Sequence, residues 1–193
     1  MRQYNLMQQA LGAQWKQLPD SLRAHHQSGP NVDVGELDIE YPGAMQPLLN
    51  LLRLLGTLIN RRGEAVPTRA EKDMRGRTQY WKRRTTFPDG RVIGFRSRWE
   101  HAGGNRIIDY VIPVFGLCMA VRVEDGRLLY EGECFVLRLG RVKLPMPGWL
   151  LLGHTTIVEQ AMDDTRFATD FRLRHPLFGQ IYRYAGVFRT DAR

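Results

Sequence analysis

Residues Thr78–Glu100 read TQYWKRRTTFPDGRVIGFRSRWE. Two runs of alternating character flank Pro88-Asp89-Gly90, and that pattern predicts a β-hairpin turning on the triplet. With Pro88–Gly90 as the loop, Trp81 falls opposite Ser97 and Arg83 opposite Phe95. One face then carries Trp81, Arg83, Thr85 and Phe87 with Ile93, Phe95, Ser97 and Trp99. The other carries Tyr80, Lys82, Arg84, Arg96 and Arg98. The aromatic face is the interior, and the cationic face looks outward.

The same texture continues to the end of the chain. WEHAGGNRIIDYVI turns at Gly103-Gly104-Asn105, FGLCMAVRVEDGRLLYEGECFVLRLG turns at Glu124-Asp125-Gly126, and TIVEQAMDDTRFATDFRLR turns at Asp163–Thr165. QIYRYAGVFRT supplies a last strand. About nine strands joined by tight turns make an antiparallel meander. A sheet of that width must curl, into a closed barrel or a sandwich, and a barrel or half-barrel is expected. No βαβ rhythm, phosphate-binding glycine loop or internal repeat interrupts it.

The N-terminal third has a different period. Gln3–Lys16 places Leu6, Met7, Ala10, Leu11 and Trp15 at helical spacing. Asp20 or Ser21 can cap a second short helix, LRAHHQ, which stops at Gly29-Pro30. A loop with a short strand near ELDIEY leads to PLLNLLRLLGTLINRRG, Pro47–Gly63. That stretch predicts a helix over Pro47–Asn60, with Pro47 in its first turn and Gly63 at its cap. Its polar residues, Asn50, Arg53, Thr57 and Asn60, form one narrow stripe, so the helix should be covered on several sides. At about 20 Å it is too short for a bilayer core of about 30 Å. The expected fold is α+β: N-terminal helices packed on a strongly curved antiparallel β-sheet. It forms one domain over 1–193, with a helical part at 1–63 and a β meander at 64–193, and the long helix roofs the enclosed space.

Composition supports a globular chain: 193 residues, 43% hydrophobic and 25% charged, can bury a core without staples. Cys118 and Cys134 lie within apolar runs at no metal-ligand spacing. They read as reduced thiols, a disulfide between neighbouring strands being the alternative. MRQYNLMQQALGAQWKQL has no apolar core of a secretory signal, so a cytoplasmic location is expected. The formal charge of +8 is local. Arg61–Arg106 holds 13 Lys/Arg against 5 Asp/Glu, a surplus of 8, and the remaining 15 of each sign cancel.

Arg83 is the misfit on the inner face, since a buried guanidinium needs a counter-charge. Glu131 and Glu133, in phase with Phe135, and Glu159, between Ile157 and Ala161, are the candidate partners. Alternatively, Arg83 meets the anionic head of a ligand whose tail lies against Trp81, Phe87 and Trp99. Phe95, Ser97, Glu133, Tyr182 and Tyr184 complete that candidate lining. The outer patch of Lys82, Arg84, Arg96 and Arg98 reads as a solvated surface or as a contact for an anionic membrane. Nucleic acid is disfavoured, because Tyr80 is the sole aromatic on that face. His25 and His26, adjacent on a short helix, point to different faces and lack a neighbouring acid, which makes them a poor metal site. His175, before Pro176, should fix a corner by hydrogen bonding. Glu159, His175 and Tyr184 are the weak candidates for proton transfer. No cofactor motif and no metal site are expected.

The order LGAQWKQLPDSLRAHHQSG, apolar helix, YWKRRTTF, SRWE, LPMPGWL, isolated Glu159, RHPLFG and YRYAGVF is similar to the bacterial domain-of-unknown-function family 4166 (DUF4166). The likeness covers nearly the whole chain. It implies a domain that stands alone or follows a saccharopine-dehydrogenase-like or short-chain-dehydrogenase-like domain, hence a dehydrogenase-like partner. It carries no catalytic residue, and it draws attention to Trp81, an arginine at 83 or 84, Ser97, Glu159, His175-Pro176 and Tyr184. Three functions remain open. They are binding of a lipid-like or fatty-acid-like molecule in a β-barrel cavity, an enzyme acting on such a molecule, and an accessory module docking through the basic face.

Overall fold

The computed structural model describes residues 4–148 and 151–192, so Gln3 and the Trp149-Leu150 part of LPMPGWL lie outside the described residues. The chain begins with α1 (Leu6–Leu11), a 3₁₀ turn (Gly12–Gln17) and α2 (Asp20–His25). After β1 (Asn31–Glu40) come a 3₁₀ turn (Gly43–Met45) and α3 (Gln46–Leu54). Ten further strands follow: β2 (Gly63–Arg75), β3 (Thr78–Thr86), β4 (Val92–Gly103), β5 (Arg106–Ile112), β6 (Phe115–Glu124), β7 (Arg127–Leu139), β8 (Val142–Pro147), β9 (His154–Ala161), β10 (Arg166–His175) and β11 (Gly179–Ala192).

All pairings are antiparallel. β1 to β7 pair in sequence, β7 pairs β9 through Leu128–Glu131, and β9, β10 and β11 continue back to β1. The result is a closed ten-stranded barrel, with β8 as one extra strand on the distal half of β7. Closure pairs every barrel strand on both sides and leaves no long free edge. The protein is therefore mostly β, with few short helices.

Turn chemistry sets the registers. Around Pro88–Gly90, Phe87 N–H donates to Arg91 O, Trp81 faces Ser97 and Arg83 faces Phe95, as the alternation predicts. Asp125 (φ 50°) and Gly126 (φ 72°) both take the left-handed region that a type I′ two-residue turn requires. β1 is a full ten-residue strand, longer than the short strand expected near ELDIEY. Its seam with β11 is tight: a Cβ on Gly186 would stand 1.9 Å from Glu36 O, and one on Gly35 2.1 Å from Val187 O.

Three expectations about helices are corrected. The first helix ends at Leu11, because Gly12 (φ 55°) turns the chain into a 3₁₀ segment. The long helix stops at Leu54 rather than Asn60. Thr57 N–H donates to Leu52 O and Gly56 N–H to Arg53 O, with Gly56 at φ 77°, which is a Schellman cap centred two residues past Leu54. Nor is α3 covered on several sides. Leu49 is buried, but Leu51, Leu54 and Leu55 are 56, 85 and 49% exposed. Among the described residues no helix is long and apolar enough to cross a membrane.

The helices sit at the barrel's ends rather than against a sheet face. Leu6, Met7, Leu11 and Leu22 share a buried core with Trp99, Ile107, Met119 and Val121. Those barrel residues lie at the ends of β4 and β6 and the start of β5, so α1 and α2 stopper that end. α3 borders the other end, where Arg53 Nη1–H donates to Gly94 O near the start of β4. Cys118 and Cys134 face each other across β6 and β7 as free thiols.

Candidate functional site

The barrel interior is hollow toward the α3 end. A cavity of about 510 Å³ is walled by Leu48, Leu52, Phe115, Leu117, Phe135 and Leu137, among other apolar side chains. Inward it meets Arg83, Phe95, Trp99, Ile157 and Tyr184, which also line a smaller space of about 70 Å³ reaching Trp81, His25 and Glu159. The hollow is thus apolar at its mouth and charged at its floor.

Arg83 stands at the waist. Its Nη1–H donates to Ser97 Oγ at 3.2 Å, and its guanidinium carbon lies 4.4 Å from the Trp81 ring centre and 5.0 Å from that of Phe95. Arg84 is exposed, which identifies Arg83 as the inward arginine. The expected bridge to glutamate does not form: among the described residues no carboxylate lies within ion-pair distance of Arg83. Its electrostatic counterpart is Asp109, opposite Trp99 on β5, whose carboxyl burial pushes up while Arg83 opposes.

Glu131 and Glu133 point outward, to Arg122 (2.8 Å) and Arg106 (2.7 Å). The cause is a β-bulge. Cys118 pairs Cys134 while Met119 pairs Gly132, so Glu133 is the extra residue on β7 and the inward parity shifts from Tyr130 to Phe135. His175 also lies apart, on the β10–β11 turn, where Leu177 N–H donates to its Nδ1 and Phe178 packs on its ring at 4.9 Å. The trio of Glu159, His175 and Tyr184 is therefore not assembled. Phe87 and Tyr182 are buried in the core outside the cavity lining, Phe87 beneath Arg61 and Tyr182 against Tyr41.

The floor was not legible as a site. His25 ends α2 and His26 is its C-cap, yet both rings reach Glu159 on β9 and pack edge to face, 4.2 Å between centres. That overturns the expectation of different faces. His26 Nε2 lies 2.7 Å from Glu159 Oε2, and the Tyr130 hydroxyl donates to the same oxygen at 3.0 Å. His25 Nδ1 is 2.9 Å from Asp33 Oδ2, and Lys72 Nζ is 2.9 Å from that oxygen. Lys72 also donates to the His25 carbonyl, and Thr190 Oγ1–H donates to Asp33 Oδ1 at 2.7 Å. His25 Nε2 makes no hydrogen bond among the described residues, and Glu159 Oε1 stands 3.5 Å from it, facing the cavity.

Charge explains the protonation pattern. Burial lowers His25, but Asp33 and Glu159 outweigh it and hold the imidazole above its ordinary value. Burial lowers His26 to about 4, against the pull of Glu159. Burial would raise Asp33 and Glu159, but His25 and Lys72 hold Asp33, and His26 and His25 hold Glu159, well below the usual carboxylate range. The two carboxylates thus face His25, which they hold up, and Lys72, which burial lowers against the pull of Asp33, while His26 and Tyr130 are driven toward their neutral forms.

A model of the domain of unknown function DUF4166 matches residues 18–188. The chain belongs to that family. In this DUF4166 chain the match runs from α2 to β11, so it includes His25, His26, Asp33, Lys72, Tyr130 and Glu159 of the floor, and Thr190 lies just beyond it. No curated protein matches the sequence. Among solved structures, the crystal structure of a mutant of the vaccine antigen transferrin binding protein B from Haemophilus parasuis Hp5 aligns at a TM-score of 0.33 and 10% identity. The alignment covers 93% of this chain and 28% of that one, so the chain spans little more than a quarter of its length.

Proposed function

We propose that the barrel takes up an apolar or amphipathic small molecule of lipid or fatty-acid type. The observation that carries this reading is the apolar-walled cavity of about 510 Å³ ending on Arg83. A volume of that order suits a ligand of small-molecule size, and the polar groups are few and converge at one end, as orientation of an amphipathic ligand requires. Arg83, stacked between Trp81 and Phe95 with Asp109 as its electrostatic counterpart, is placed to receive a carboxylate head. Native mass spectrometry of the protein incubated with oleic acid tests this. A one-to-one adduct that Arg83→Ala weakens about tenfold is expected, and a folded protein that stays ligand-free would overturn the reading.

A membrane source for the ligand is favoured by a separate feature. Leu51, Leu54 and Leu55 project from α3 at the cavity mouth, beside a groove lined by Arg53, Lys82, Arg84 and Arg96. Leucines flanked by cations match an anionic bilayer, each cation contributing about 1 kcal/mol near the surface. Cosedimentation with phosphatidylglycerol vesicles, lost on Leu54→Glu and at high salt, is the expected result. Equal binding to phosphatidylcholine vesicles would contradict it.

A further inference from the structure

We infer that His25, His26 and Glu159 form a binding site for one divalent first-row transition-metal ion at the floor of the barrel, with an open coordination position facing the cavity. The ligand-capable atoms of these three buried residues all lie within 4.8 Å of one another. Two imidazoles and one carboxylate are a donor set that zinc and ferrous iron accept.

The surroundings are those of a ligand histidine. Asp33 Oδ2 and Lys72 Nζ both lie 2.9 Å from His25 Nδ1, Lys72 pairs with Asp33, and Thr190 donates to Asp33. A carboxylate behind one imidazole nitrogen fixes the ring and presents the other nitrogen, the arrangement usual behind metal-bound histidine. The presented atom, His25 Nε2, is buried, and among the described residues it makes no hydrogen bond closer than its 3.5 Å contact with Glu159 Oε1. A core histidine serving packing alone would not be expected to leave that nitrogen unsatisfied.

Geometry and charge agree. Four-coordinate zinc with bonds of about 2.0–2.1 Å sets its donor atoms roughly 3.3 Å apart. The His25 Nε2–Glu159 Oε1 separation of 3.5 Å already fits, while the 2.7 Å contact of His26 with Glu159 must open slightly. Both imidazoles ligate as neutral rings, any proton on His25 leaving as the metal binds, so Asp33 and Lys72 cancel each other and Glu159 neutralises one of the ion's two charges. The remaining positive charge calls for an anionic oxygen. His25 and Glu159 line the cavity and His26 lies behind them, so that oxygen enters from the cavity side. Hydroxide or the carboxylate of an amphipathic ligand meets the requirement. Only this last step rests on the cavity reading.

The test uses the full chain without an affinity tag, stripped with EDTA and then titrated with Zn²⁺ by calorimetry and with Co²⁺ by visible absorption. One ion per chain and cobalt bands of a four- or five-coordinate site are expected. Glu159→Gln and His25→Ala should each weaken binding at least 100-fold, and Asp33→Asn about tenfold to 100-fold through loss of His25 positioning. Circular dichroism checks that each variant folds. Should a variant unfold, wild-type stoichiometry and the cobalt spectrum decide alone. Less than a tenth of an ion per wild-type chain, or octahedral aquo-type bands, overturns the site. Oleic acid adducts on the stripped protein separate the two proposals: adducts without metal binding leave the cavity reading standing, and loss of both removes both.

Discussion

Lys72 and Asp33 are each about 1% exposed at the side chain, and Asp33 is the principal counter-charge of Lys72. Removing one charge of a buried pair strands the other at about 3–5 kcal/mol. Lys72→Met is therefore expected to lower the melting temperature by about 10 °C in a calorimetric scan, and a change under 2 °C would refute the pairing. Asp109 acts in the opposite sense. Its folded carboxyl is held up by burial, so its contribution to stability is complete below the unfolded value and is lost as pH rises through the folded one. Asp109→Asn should gain stability relative to wild type at pH 7, with the gain fading toward pH 4, as urea denaturation across that range would reveal. Arg83 was legible in the sequence because it breaks an alternation of large apolar residues within one hairpin. Lys72 breaks the same parity after Val66, Thr68 and Ala70, and could have been found by the same test. His25 and Glu159 could not, since 134 positions separate them and only barrel closure brings them together.

Among the elements, the hairpins were readable because their turn residues act locally: PDG and EDG impose loop geometry whatever surrounds them. Helix α3 is shorter than its sequence suggests because Leu58 and Ile59 carry the apolar character past Gly56, and hydrophobic periodicity alone gives no stop. Gly56→Ala strains a left-handed residue with open space around it, so about 1 kcal/mol and a melting shift of a few degrees are expected. Gly186→Ala is different in kind. Its Cβ would meet the Glu36 carbonyl at 1.9 Å, within the β1–β11 seam. A loss of at least 3 kcal/mol by urea denaturation is expected there, beyond the usual cost of overpacking because backbone must yield. Equal effects at the two glycines would show that the seam is not tight. The bulge at Glu133 leaves no mark in the sequence, since strict alternation back from Phe135 places Glu131 and Glu133 on the inner face, and only the two-for-one pairing opposite Cys118 and Met119 turns them out.

For the whole molecule, closure converts a meander into a container. β1 is the strand that closes it, and its contribution of Asp33 to the floor links barrel formation to assembly of the charged cluster. The meander and its inner aromatic face were readable from period two. The distinction between barrel and half-barrel was not, because it depends on β1 and β7 each finding a second partner far away in sequence. Trp81 and Trp99 line the hollow, so a ligand inside it must report on them. The most direct measurement is tryptophan-sensitised emission of cis-parinaric acid, titrated into wild-type protein and into a Leu117→Phe/Leu137→Phe variant that fills the mouth. Saturable emission at one probe per chain, weakened at least tenfold in the filled variant, is the expected result. Unsaturable emission, or the same titration curve for both proteins, would place the probe outside the barrel and contradict the enclosed site.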